Sequence, residues 1–355
     1  MLTREKNKIS YLHFIMSVLV VLIHSINNDT KLERFFSIES GIGQFAVPLF
    51  FIISGFLYFR NIKSKADAVE KLKRRVRTLL IPFLLWNLIY YAIHLFLKPG
   101  SGISLDEILD SAFTYKYNPA FWFMYQLILL SIISPLIFWF TNQKLPNVFR
   151  KKSIIVMVII LLIFAELLIS FGIDVPYLNE DAFIYYVTGM IFANLYNSGK
   201  ISLIGKKYTL IFLLLFIVSF AFNRYVYSLL LTNAKYYNPF TATVVITRVF
   251  GAMFIFYIFD IFFGYQKIFI FMDQTFFLYA IHYMIVKALM IVVRYIMYKF
   301  IPVGIFVGAF DLYTIIECIT FIVSPIVCIV INFYLSRFMM KRFSKQYNIL
   351  VGNRR

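Results

Sequence analysis

Two histidines, His13 and His24, stand in a stretch from about Ile9 to Ile26 that is otherwise apolar. They are eleven residues apart. A helix here puts both rings on one face, about three turns or roughly 16 Å apart along the axis. Ser17 falls close to the same stripe. Ionisable side chains are costly in hydrocarbon and normally face a bundle interior or a wet cavity. An imidazole with an ordinary pKa near 6.5 can take a proton from a hydroxyl at neutral pH. Proton handling inside a membrane is therefore the first chemistry these residues suggest, with His24 as the candidate base. A proton relay and a histidine hydrogen-bonded across helices are the alternatives for the same residue.

Other ionisable residues interrupt apolar stretches: His94, Glu166, Arg248, Asp260, His282, Lys287, Arg294 and Glu317. His94, Asp260 and Arg294 sit near the ends of their stretches, where long side chains snorkel to the surface. Arg248 and Glu317 lie deeper and in different stretches, so the structural reading for them is mutual neutralisation. The densest cluster of charge is Lys71-Leu72-Lys73-Arg74-Arg75-Val76-Arg77. It reads either as an anchor to anionic lipid heads or as a clamp for phosphate oxygens, which suit guanidinium forks.

The elements that must position these groups follow from composition. The 355 residues are 61% hydrophobic and 15% charged, with 42 Phe and 25 Tyr. The apolar runs match the length of about 20 residues that crosses a bilayer as a helix, and no pattern of short alternating segments supports a barrel. The expected fold is all-α, a polytopic transmembrane bundle. About ten spans are expected, near 9–26, 41–60, 78–97, 119–141, 153–172, 182–197, 208–224, 239–262, 275–298 and 310–336. Most of the 35 Lys and Arg fall in alternate loops, and the acidic residues in the opposite ones. That bias predicts cytoplasmic N- and C-termini. It also accounts for the net charge of +18 without any nucleic-acid partner.

The first stretch follows Arg4, Lys6 and Lys8 as a signal peptide would, but no small-residue cleavage site comes after it, so it is expected to be a retained helix. Cys318 and Cys328 share the last span and read as small apolar residues. The outer loops are rich in aromatics, including Tyr115, Tyr117, Trp122, Tyr225 and Tyr236. Such rings can stack on sugars, although an interfacial belt needs the same residues.

Several stretches together resemble the integral-membrane acyltransferase-3 family, which includes bacterial O-acetyltransferases of cell-surface glycans. They are Tyr11-Leu12-His13-Phe14-Ile15 through Val20-Val21-Leu22-Ile23-His24, then Val47-Pro48-Leu49-Phe50-Phe51-Ile52-Ile53-Ser54-Gly55-Phe56-Leu57, then Arg74-Arg75-Val76-Arg77-Thr78-Leu79-Leu80-Ile81-Pro82. Phe121-Trp122-Phe123-Met124 resembles the family's Trp-Phe-Leu segment, and Phe277-Leu278-Tyr279-Ala280-Ile281-His282 its late Tyr-x-x-His segment. The pattern spans most of the chain, in family order.

The resemblance implies acyl transfer by a single membrane domain over residues 1–355. His24 falls on the histidine taken as essential. Arg74 and Arg77 fall on an Arg-x-x-Arg associated with a cytoplasmic acyl-CoA donor. Ser54 falls on the Ser-Gly-Phe turn of the second span. Trp122, Tyr279 and His282, with Arg248 and Glu317, are expected as supporting residues. One position departs from the family: the arginine expected near the inner end of the first span is His13, which cannot make a guanidinium fork. The implied protein is an O-acetyltransferase of the bacterial cytoplasmic membrane, using acetyl-CoA or another acyl-CoA and no metal. Its partners would be a glycan or lipid-linked sugar acceptor and the lipid bilayer. A glycan exporter or flippase on the same fold is the rival expectation, and a proton-coupled transporter using His13, His24 and Glu166 is a third.

Overall fold

The computed structural model describes residues 2–26, 36–37, 41–98, 103–142, 179–272, 274–300, 306–307 and 310–353. Among these the protein is helical, apart from one antiparallel pair of two-residue strands, β1 (Phe306–Val307) and β2 (Phe310–Asp311). Helices are what the composition demands, because a backbone crossing hydrocarbon must satisfy its own hydrogen bonds. Eight helical segments among the described residues are long and apolar enough to cross a membrane, so this is a multi-pass membrane protein. The expected sixth span is helical but falls short of that measure, because Glu180, Asp181, Asn194 and Asn197 make its ends polar. The expected fifth span, 153–172 with Glu166, lies outside the described residues.

The chain divides into two compact units: Met1–Val47, Arg77–Trp122 and Tyr265–Arg355 form one, and Pro48–Val76 with Phe123–Gly264 the other. In the first unit, α1 (Thr3–His24) begins where the Glu5 carboxylate accepts the Leu2 N–H at 2.8 Å. Helix α1 packs against α10 (Thr275–Phe300) and α11 (Leu312–Arg342), which also pack on each other. The Ser336 hydroxyl of α11 donates to the Gln274 amide oxygen, fixing α11 against the start of α10. The loop before α10 lies on the first turns of α1. There the Asn7 amide donates to the Tyr265 carbonyl at 2.8 Å, and the Tyr11 hydroxyl to that of Lys267 at 2.9 Å. Lys8 is fully buried, its ammonium 5.9 Å from the Tyr265 ring.

Helix α4 (Ile81–Leu97) continues a helical segment through a π turn at Val76–Leu80. Pro82 lacks the N–H that an α-helix there would use. The turn is covered by the C-terminal helix α12 (Ser344–Leu350) and the residues after it. Gly352 has φ +68°, and a Cβ there would come within 2.3 Å of the Thr78 carbonyl oxygen, so only glycine closes this contact. Trp86 of α4 donates its indole N–H to the Leu350 carbonyl at 3.0 Å. The amphipathic α5 (Leu105–Phe113) follows, capped by the Ser104 hydroxyl and packed on α4.

The second unit holds α2 (Ala46–Phe59), α3 (Lys65–Arg75), most of α6 (Trp122–Asn142), α7 (Glu180–Asn197), α8 (Lys206–Leu230) and α9 (Tyr237–Ile258). Helix α3 starts with a reciprocal cap between Ser64 and Asp67. Helices α8 and α9 form a hairpin joined by polar bonds inside an apolar contact. Thr209 donates to the Tyr257 carbonyl at 3.0 Å, Thr247 to that of Ser219 at 3.1 Å, and Asn223 to the Thr243 hydroxyl at 2.9 Å. Asp260, expected to snorkel, is buried and accepts the Gly205 N–H at the start of α8.

Helix α2 meets α7 through two glycines. A Cβ on Gly55 would lie 2.1 Å from the Tyr186 carbonyl, and one on Gly189 would lie 2.1 Å from that of Ile52. Ser54 and Gly55 lie inside a continuous helix, within the expected second span, and the glycine serves close backbone approach.

Candidate active site

The residue-level chemistry gathers in the first unit, where α1 delivers His24 beside α10. The His24 and His282 rings are 5.3 Å apart, centroid to centroid, at 45°, and Tyr283 meets His24 edge-on at 5.5 Å. His282 is fully buried, and its Nδ1 lies 2.7 Å from the Tyr279 carbonyl. Tyr279 is held in turn, its hydroxyl donating to the Ala120 carbonyl at 2.6 Å and its ring stacking on Phe121 at 5.8 Å. Ala120 belongs to the short turn Pro119–Phe121, which the Asn118 side chain fixes by accepting the Ala120 N–H at 3.1 Å. Tyr90 of α4 closes the other side, donating to the Ala280 carbonyl at 2.9 Å.

The expected site residues fall into three groups. His24, Tyr279 and His282 come together. Trp122 opens α6, one residue after Phe121, and it is Phe121 that packs on Tyr279. His13 is half-buried one helical stretch below His24, with its carbonyl accepting the Ser17 hydroxyl at 2.8 Å. Of the basic cluster, Arg77 is exposed in the π turn of the first unit, and Arg74 is exposed on α3 of the second, 3.6 Å from Glu70. Lys71 is used differently: its ammonium donates to the Leu57 carbonyl at 3.3 Å and to that of Tyr58, capping the end of α2.

Arg248 and Glu317 do not form the expected pair. Arg248 lies 3.6 Å from Asp181 in the second unit, and Glu317 lies 3.6 Å from Arg294 in the first. Helix packing gives each charge a partner within its own unit, so neither depends on the other. Ser54 of α2 is half-buried in the second unit.

Sequence reasoning missed Tyr283, Tyr90, Phe121 and the Ala120 carbonyl. Tyr283 was readable as the neighbour of His282. The carbonyl left no trace, because a main-chain acceptor has no residue type.

A multi-pass helical membrane protein with a half-buried and a fully buried imidazole in contact is the class that fold and site define. The family model for an acyltransferase domain matches residues 7–333, from within α1 to late in α11, and the chain belongs to the acyltransferase-3 family. It is thus a multi-pass membrane member of that family. Among curated proteins it is similar to succinoglycan biosynthesis protein ExoH of Rhizobium meliloti (strain 1021), at 30% identity over 31% of this chain and 37% of that protein's length. The matched stretch is thus well under two thirds of that relative. No solved structure matches the chain significantly.

Proposed function

We propose that this protein is an O-acyltransferase, with acetyl as the acyl group, that moves acyl from cytoplasmic acyl-CoA to a hydroxyl of a cell-surface glycan or lipid-linked sugar. The observation that carries this reading is the contact of His24 with His282 and Tyr283, His24 being the residue that the resemblance aligns with the family's essential histidine. The name of the succinoglycan relative supports a saccharide acceptor.

In the proposed reaction His24 takes the proton of the acceptor hydroxyl as its oxygen attacks the thioester carbonyl. The new C–O bond forms, the C–S bond breaks, and the CoA thiolate leaves with the proton returned by His24 as free thiol. Arg77 and Arg74 contact the donor phosphates as charge-assisted partners. His13 stands where a further arginine is expected, so the donor would lean on these two residues. The family match runs through both units, which supports a single acyltransferase-like domain, and the distribution of Lys and Arg among the loops supports cytoplasmic N- and C-termini in a bacterial cytoplasmic membrane. The conclusion concerns the acceptor class rather than one named sugar.

The test is purified protein with radiolabelled acetyl-CoA and a glycan acceptor. His24→Ala is expected to lower transfer by about a hundredfold or more while its thermal unfolding stays that of the parent. Full transfer by that variant would falsify the reading. Glycan movement in liposomes without any acyl donor would point to an exporter instead.

A further inference from the structure

The His282 ring has two nitrogens with unequal surroundings. Nδ1 lies 2.7 Å from the Tyr279 carbonyl. A carbonyl only accepts, so in the neutral ring the proton sits on Nδ1, and Nε2 presents a bare lone pair. Nε2 is buried and has no hydrogen-bond partner among the described residues. A buried acceptor left unmade costs free energy, and such groups in folded proteins call for an explanation.

His24 supplies one. An N–H···N bond of about 2.9 Å between two imidazoles puts their centroids roughly 5.2 Å apart. The observed separation is 5.3 Å. The two rings are thus spaced as such a bond requires, with His24 the neighbouring imidazole that can supply the N–H. Apo sites commonly hold such bonds open until substrate arrives. The support behind His282 is rigid. Its carbonyl partner belongs to Tyr279, which is tied to Ala120, and the next residue's carbonyl, that of Ala280, is tied to Tyr90.

We infer that His282 is the positioning residue for His24: Nε2 of His282 accepts one N–H of His24 and so leaves the other His24 nitrogen as the acceptor for the substrate hydroxyl. This does for His24 what a second-layer carboxylate or carbonyl does for other catalytic imidazoles, fixing tautomer and orientation together. A neutral partner does so without placing a charge in the span. The inference rests on the reading of His24 as the base.

Two substitutions separate this role from a purely structural one. In His282→Asn the amide NH2 takes the place of Nδ1–H and keeps the bond to Tyr279, but nothing accepts at the Nε2 position. In His282→Gln the amide oxygen reaches the Nε2 position and accepts, while the bond to Tyr279 is lost. Positioning predicts that Gln keeps kcat within about tenfold of the parent and that Asn loses about a hundredfold, with KM for acyl-CoA unchanged in both. The reverse order, or equal losses, overturns the inference and leaves His282 as a helix-bonding residue. Histidine-selective 15N NMR of the parent gives a readout independent of activity. A His282 ring protonated at Nδ1, with its Nε2 in a hydrogen bond that vanishes in His24→Ala, supports the inference. Protonation at Nε2 overturns it, even if no acyl transfer is found and the reading of His24 fails by itself.

Discussion

Gly55 of α2 lies so close to Tyr186 of α7 that a Cβ would come within 2.1 Å of the Tyr186 carbonyl oxygen. Gly189 makes the reciprocal approach to Ile52, so one helix crossing depends on two glycines from different helices. Gly55→Ala is expected to destabilise the protein by about 1–3 kcal/mol, the usual cost of forcing atoms into a packed contact. Gly189→Ala should cost a similar amount. The double variant should cost less than the two together, because the first change already separates the helices. Thermal unfolding in detergent measures all three, and an unaltered Gly55→Ala would contradict the close crossing.

The basic cluster makes a second prediction, because its members are not equivalent. Arg77 sits exposed in the π turn, whereas Arg74 is shared with Glu70 at 3.6 Å. Arg77→Ala is expected to raise KM for acyl-CoA about tenfold or more, the loss of one charge-assisted bond. With kcat held, that is the mark of binding lost equally in ground and transition states. Arg77→Lys should recover only part of the loss, since an ammonium has no fork. A change in kcat with KM constant would remove Arg77 from donor binding. Lys71→Met should instead lower stability, because that ammonium caps α2.

Acid supplies a third prediction, at α5 and the loop after it. Glu107 accepts from Lys116 at 3.0 Å and from the Tyr117 hydroxyl at 2.8 Å, and these bonds, Lys116 first, hold its carboxyl below the ordinary range. A carboxylate lowered by folding adds stability that is present above its unfolded pKa and lost as pH falls through the folded value. The Lys116 ammonium, raised by Glu107 and Asp110, stays charged throughout that window. Amide exchange over residues 105–117, corrected for intrinsic rates, should therefore rise below about pH 4. Protection that is flat down to pH 3, or a Glu107→Gln variant that behaves as the parent does, would refute it.

Much of this architecture was legible in the chain. The length of the apolar runs dictated helices, and the rarity of charge inside them singled out His13 and His24, with His282 among the other ionisable residues. The partner of each charge was not legible. Arg248 and Glu317 looked like natural partners because both are deep, yet Asp181 and Arg294 occupy those places. Helix adjacency decides such pairings, and a single sequence does not state it. The burial of Lys8 was not legible either, because it comes from the loop carrying Tyr265, far along the chain. The contact of His24 with His282 joins residues 258 positions apart. Their shared chemistry could be guessed, but their geometry could not.

The contact of Gly352 with the Thr78 carbonyl joins residues 274 positions apart. A ribosome has made every described span before residue 352 emerges. Until then the π turn that carries Arg77 has no cover from Leu350, Trp86's partner, or from Gly352. The surface that presents Arg77 is thus finished only once every described span has been made. A nascent chain that stops short of Leu350 carries its basic turn without that cover.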